Sequence, residues 1–219
     1  MTVRMTARFI QLIIGLIMFG AGCAVMVKAG IGLDPWTVFS QGLSELTRIG
    51  IGWITNIVGF FVLLLWIPLR QRPGIGTVLN IALVGTSLQL TLPALSTPDS
   101  YFLGILMFLG GTGLVGLGSG LYIGANFGPG PRDGLMTGIN ARWGWPIWVA
   151  RTVVEISVLI VGVLLGGSIG LGTLLFAVLI GPACQLALAI FDPQRRKAAK
   201  TAKDSVLPKL GPVTTGTHP

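Results

Sequence analysis

Charge is what this chain of 219 residues most conspicuously lacks. Only 10% of its residues are Asp, Glu, Lys or Arg, and it holds one histidine and two cysteines. A soluble domain carries about 25% charged residues, so a water-soluble globule is excluded. Disorder is excluded as well, because disordered chains are poor in apolar residues and rich in charge. Cys23 and Cys184 lie in separate apolar segments, with no Cys-x-x-Cys or Cys/His spacing of a metal or redox site. The sole histidine, His218, is one residue from the end of a polar tail, so no imidazole is available inside the apolar segments for acid–base work. Neither enzymatic activity nor a cofactor or metal is expected.

What is present is apolar. Hydrophobic residues make up 52% of the chain, with 33 glycines and a mean hydropathy of +0.82. This composition describes an all-α integral membrane protein. The net charge of +8 does not indicate nucleic acid, because six of the fifteen basic residues (Arg195, Arg196, Lys197, Lys200, Lys203 and Lys209) sit in the C-terminal tail. That placement fits a flank beside anionic lipid head groups.

A bilayer core needs about 20 apolar residues of helix. Six segments qualify: Phe9–Val27, Gly52–Leu69, Thr77–Leu92, Tyr101–Gly124, Pro146–Leu165 and Leu171–Phe191. With both termini cytoplasmic, thirteen basic residues fall inside and only Lys28 and Arg48 outside. The expected organisation is a cytoplasmic N-terminus (1–8), a first three-helix unit (9–95), a second (96–191) and a basic cytoplasmic tail (192–219) expected to be disordered. Arg4 and Arg8 before an apolar stretch and Cys23 after Gly22 resemble a lipoprotein signal, but Gly20 stands where a Leu-like residue belongs, so the first segment is expected to remain as a helix.

Shifting the sequence by 96 residues aligns Gly15–Leu90 with Gly111–Leu186 without a gap and with twenty identities in 76 positions. Gly32, Pro35 and Gly42 match Gly128, Pro131 and Gly138, and Gly74, Gly76, Thr77 and Gln89 match Gly170, Gly172, Thr173 and Gln185. Three spans per copy make the second copy inverted relative to the first. The expected fold is therefore six transmembrane helices as an inverted 3+3 repeat, an architecture common among secondary transporters, whose sites lie near the midplane at the repeat interface.

Each copy carries a Gly/Pro-rich loop followed by a segment too short to span, Trp36–Arg48 and Arg132–Arg142, expected as interfacial or re-entrant helices. Proline at the first helical turn and exposed amides at a helix start favour an anionic group. Asp34, Pro35, Trp36, Asn126, Arg132 and Asp133 in and around these loops are candidate solute contacts. Glu155 lies nine residues beyond Pro146, about 13 Å into its span. A carboxylate at that depth is costly and calls for a partner, and Arg151 is one turn earlier on the same face, with Arg132 a second candidate. Glu155 with Arg151 is expected as a substrate or proton-coupling site in which Glu155 cycles between protonated and paired states, and the alternative is a buried Arg–Glu brace that fixes helix packing. Gln89 and Gln185 are candidate cavity residues, along with Asn56, Thr77, Asn80 and Thr173, although such groups also serve as interhelical glue. Ser119 between two glycines has no base within reach and is not an activated nucleophile.

Two stretches carry a family resemblance. Gly128-Pro129-Gly130-Pro131-Arg132-Asp133-Gly134-Leu135-Met136-Thr137-Gly138 and Leu65-Trp66-Ile67-Pro68-Leu69-Arg70-Gln71-Arg72-Pro73-Gly74-Ile75-Gly76-Thr77 resemble the YczE branch of YitT-like bacterial integral membrane proteins, a likeness running over about Ile10–Phe191. The resemblance implies a protein of the bacterial cytoplasmic membrane and carries over no ligand residue. The expected function is secondary transport or export of a small polar or anionic solute. The alternative is a non-transporting membrane module, either the substrate-binding subunit of an importer or an assembly partner. Membrane lipid, a small solute and a second copy or accessory membrane subunit are the expected partners, and nucleic acid is not.

Overall fold

A computed structural model describes residues 3–191, so the basic tail 192–219 and His218 lie outside the described residues. All regular structure among the described residues is helical. In chain order the helices are α1 (Val3–Ala29), α2 (Pro35–Thr47), α3 (Ile51–Leu64), α4 (Trp66–Leu69), α5 (Ile75–Thr91, extended by a 3-10 turn at Leu92–Ala94), α6 (Tyr101–Gly124), α7 (Pro131–Trp143), α8 (Ile147–Leu164) and α9 (Leu171–Phe191). Among the described residues six stretches are long and apolar enough to cross a membrane: Met5–Ala29, Ile51–Leu69, Ile75–Ala94, Tyr101–Gly124, Ile147–Leu164 and Leu171–Phe191. They coincide with the six spans expected from hydropathy. Helices α2, α3 and α5 begin 96 residues before α7, α8 and α9 respectively.

The two short helices owe their starts to local chemistry. Asp34 caps α2, its Oδ1 accepting from the amides of Trp36 at 3.2 Å and Thr37 at 3.3 Å, and Pro35 supplies a preset first residue. α7 starts at Pro131 after Gly130 and ends at Gly144, whose φ of 72° is the left-handed conformation that suits a helix stop. At thirteen residues each, about 20 Å, neither helix reaches across a bilayer core.

Helices α1 and α6 form the centre of the molecule and cross antiparallel, backbone against backbone. A Cβ on Gly15 would stand 2.9 Å from the Gly118 carbonyl, and one on Gly22 would stand 2.8 Å from the Gly111 carbonyl. In lipid, where no hydrophobic force drives helices together, such small-residue contacts let dispersion and close backbone approach do the work. α5 packs on α1 and α9 on α6. α2 packs chiefly on α8, while α7 lies against α3, α4 and α8. Trp66 is fully buried over Gly134 of α7 and donates its indole N–H to the Pro131 carbonyl at 3.0 Å.

Each Gly/Pro loop docks on the other half. The Gly172 amide donates to the Ile31 carbonyl at 2.8 Å, and 96 residues away the Gly76 amide donates to the Phe127 carbonyl at 2.9 Å. Thr173 Oγ1 accepts from the Leu33 amide at 3.3 Å, and Thr77 Oγ1 donates to the Pro129 carbonyl at 2.7 Å. Gly32 and Gly128, at φ of 119° and 114°, lie against Gly170 and Gly74. A side chain at either position would be strained in its backbone and blocked by the opposing glycine.

Two outcomes follow from this packing. Gly118→Ala is expected to destabilise the protein by about 1–3 kcal/mol through overpacking, whereas Gly113→Ala, which meets nothing within 4 Å, is neutral; thermal unfolding in detergent compares the two. Thr77→Val and Thr173→Val each strand buried loop groups at a cost of about 1–3 kcal/mol, read as a lowered melting temperature.

Candidate functional site

The two docked loops bring the starts of α2 and α7 together on one cavity of about 380 Å³, partly open, lined by α1, α2, α3, α5, α6, α7, α8 and α9. That volume lies in the range of small-molecule sites. Trp36 and Arg132 are repeat equivalents, 96 residues apart, and they meet there: the Arg132 guanidinium lies 5.0 Å over the centroid of the Trp36 ring. The same guanidinium stands 3.5 Å from Asp34 Oδ1. Arg132 is thus held between a carboxylate and an aromatic face, each attractive to a cation.

Five charged side chains line the cavity: Asp34, Arg132, Asp133, Arg151 and Glu155. Arg151 Nε donates to Glu155 Oε1 at 3.0 Å, an i,i+4 pair on α8 alone. Both partners are on one helix and partly exposed (side chains 49% and 33%), so the pair cannot brace two helices. Arg132, a candidate partner for Glu155, is engaged with Asp34 instead. Asp133 Oδ2 accepts from the Tyr122 hydroxyl at 2.6 Å and has no cationic partner among the described residues. The cavity therefore holds three carboxylates and two guanidiniums, with Asp133 the acid left over.

The two helix starts differ, because a side chain caps α2 and none caps α7. The α2 amides that would greet an anion are occupied by Asp34 Oδ1, and α7 carries Asp133 in its own first turn. Asp34 Oδ2 and Trp36 Nε1 are buried and without a hydrogen-bond partner, although both residues line the cavity. Buried polar atoms left so are uncommon and ask for an explanation.

Of the other candidates, Pro35, Gln185 and Asn80 line the cavity, as do Thr55 and Gly59, the repeat equivalents of Arg151 and Glu155. Gln89 is elsewhere, its Oε1 accepting from the Gly52 amide at 3.1 Å between α3 and α5. Asn126 occupies the exposed turn after α6 at φ 60°. Thr77 and Thr173 hold the loops, and Asn56 donates to Thr86 at 3.0 Å. The residue missed by sequence reasoning is Tyr122. The signal was available: a phenol inside an apolar helix needs a hydrogen-bond partner.

The two flanks of the cavity differ. On one side α3 packs along α5, with a Cβ on Gly52 reaching 2.6 Å from the Gln89 amide nitrogen. On the other side α8 stands apart from α9. The residues there that correspond to Gly52, Gly85, Thr86 and Gln89 are Trp148, Gly181, Pro182 and Gln185. Gly181 faces open space, and Gln185 is exposed.

Comparison with known proteins places these features in a family. The model of the Family of unknown function (DUF6198) matches residues 6–188. An "Uncharacterized protein" of Haemophilus influenzae is 43% identical over 179 residues, covering 82% of both chains. The "Uncharacterized membrane protein YczE" of Bacillus subtilis is 34% identical over 192 residues, covering 86% of both. The "Uncharacterized protein YyaS" of the same organism is 26% identical over 184 residues, covering 82% of this chain and 90% of the other. No solved structure matches. The chain is a membrane protein similar to YczE, as the Gly128–Gly138 and Leu65–Thr77 stretches indicated, and it belongs to the DUF6198 family.

Proposed function

We propose that the protein is a secondary transporter of a small polar solute in the bacterial cytoplasmic membrane, built as an inverted 3+3 repeat with both termini cytoplasmic. The observation that carries this reading is the partly open cavity lined by helices of both halves, with α3 packed on α5 at one flank and α8 apart from α9 at the other. In an inverted repeat the two flanks are equivalents, so exchanging their states moves the opening to the opposite membrane face. The reciprocal loop contacts, each repeated 96 residues apart, support the repeat. The excess of basic residues on one side supports the orientation. Arg151 and Glu155 stand at the open flank and act as its gate, and with no ATP-binding motif in the sequence a gradient supplies the energy.

Three measurements test this. Cysteines at Arg48 and Arg72, both exposed, are expected to label from opposite membrane faces; labelling from one face removes the topology. In a Cys23→Ala/Cys184→Ala background, Trp148→Cys and Gly181→Cys are expected to cross-link on oxidation in liposomes, because α8 closes on α9 in the alternate state. Liposomes loaded with amino acids, amines and carboxylates are expected to release at least one of them tenfold faster with protein than without, and the cross-link stops the release. No cross-link and no release would leave a static binding module, and a co-purifying ATPase would identify it as an importer subunit.

A further inference from the structure

The charges in the cavity do not balance. Arg132 is committed to Asp34 at 3.5 Å and Arg151 to Glu155 at 3.0 Å, so two of the three acids are neutralised within the protein. Asp133 is not, since its one side-chain partner among the described residues is the neutral Tyr122 hydroxyl at 2.6 Å. Asp133 is half-buried in the wall of the partly open cavity, and a carboxylate there without an ion-pair partner favours a cationic guest. The walls beside it are aromatic as well as acidic, with Phe19, Trp36, Tyr122 and Phe176 all lining the space, and aromatic faces attract cations. Arg132 already shows such a cradle at work, with its guanidinium held between the Asp34 carboxylate and the Trp36 ring.

Two further atoms define what else the guest must offer. Asp34, 3% exposed, has its Oδ2 unpartnered, and Trp36, 4% exposed, has its indole N–H unpartnered. The first needs a donor and the second an acceptor. An anion satisfies only the indole, and it would meet Asp34 capping α2 and the Asp133 carboxylate in the first turn of α7.

We infer that the cavity binds a small organic cation or zwitterion, whose ammonium or guanidinium group neutralises Asp133 and whose acceptor oxygen takes the Trp36 N–H. This rests on the reading of the cavity as a solute site and replaces the anionic solute expected from the loops. The volume of about 380 Å³ suits a molecule of amino-acid size.

Cys184 lines the cavity, so occupancy can be read without transport. In Cys23→Ala protein in lipid nanodiscs, Cys184 is the sole thiol. Its alkylation by N-ethylmaleimide is measured with arginine, ornithine or ethanolamine, and with succinate or inorganic phosphate. At least one amine is expected to slow alkylation fivefold or more, and the two anions to leave it unchanged. Asp133→Asn is expected to abolish the protection and Asp133→Glu to retain it. Trp36→Phe, which keeps the ring and removes the N–H, weakens protection and serves as the variant if Asp133→Asn does not fold. Protection by succinate or phosphate alone, protection that survives Asp133→Asn, or no protection by any amine overturns the inference. Protection by an amine without release from liposomes would sink the transport reading and keep this one. Release of a carboxylate without amine protection would do the reverse.

Discussion

The crossing of α1 and α6 is the constraint on which the rest depends. Glycines at Gly15, Gly22, Gly111 and Gly118 bring the two backbones into direct contact. A membrane interior offers no hydrophobic gain for pairing two apolar helices, so their union rests on close packing over small residues. Once they are joined, α5 and α9 take their places on the flanks of this pair, and the Gly/Pro loops that follow α1 and α6 end up beside the starts of α9 and α5. The reciprocal hydrogen bonds of those loops hold the locally determined starts of α2 and α7 against the other half.

This arrangement converts two ordinary helix starts into one site. The first helical residues after the two prolines, Trp36 and Arg132, are sequence equivalents, yet one is an aromatic face and the other a cation, so their meeting is attractive. Neighbouring positions diverge in the same way: Asp34 answers to Gly130, and Asp133 answers to Thr37. Helix starts 96 residues apart have matching positions in the chain, and the side chains at those positions differ in charge and aromaticity. Two copies of the same charged loop would have set like charges against each other in a region of low dielectric.

The flanks show the same principle on a larger scale. Gly52 and Gly85 allow α3 and α5 to touch, while Trp148 and Pro182 stand at corresponding places beside the gap between α8 and α9. The matched positions on the two flanks thus differ in size and shape, Gly52 against Trp148 and Thr86 against Pro182. The exchange of Trp66 on Gly134 for Gly162 on Val38 is a further case, with the larger residue on the neighbour of the short helix in one pair and on the short helix itself in the other.

Much of the fold was legible in the sequence because membrane helices announce themselves locally. Length and hydropathy alone set the six spans, Pro35 and Pro131 set the starts of the short helices, and the 96-residue offset related the two halves. The Arg151–Glu155 pair was equally readable, since i,i+4 contacts depend on nothing beyond one helix. The pairing of Arg132 with Asp34 rather than Glu155, the hydrogen bond from Tyr122 to Asp133, and the removal of Gln89 and Asn126 from the cavity were not. Each of these depends on which faces of helices distant in sequence come together. Periodicity places a residue on a face of its own helix, but only the packing of glycine against backbone decides what that face meets.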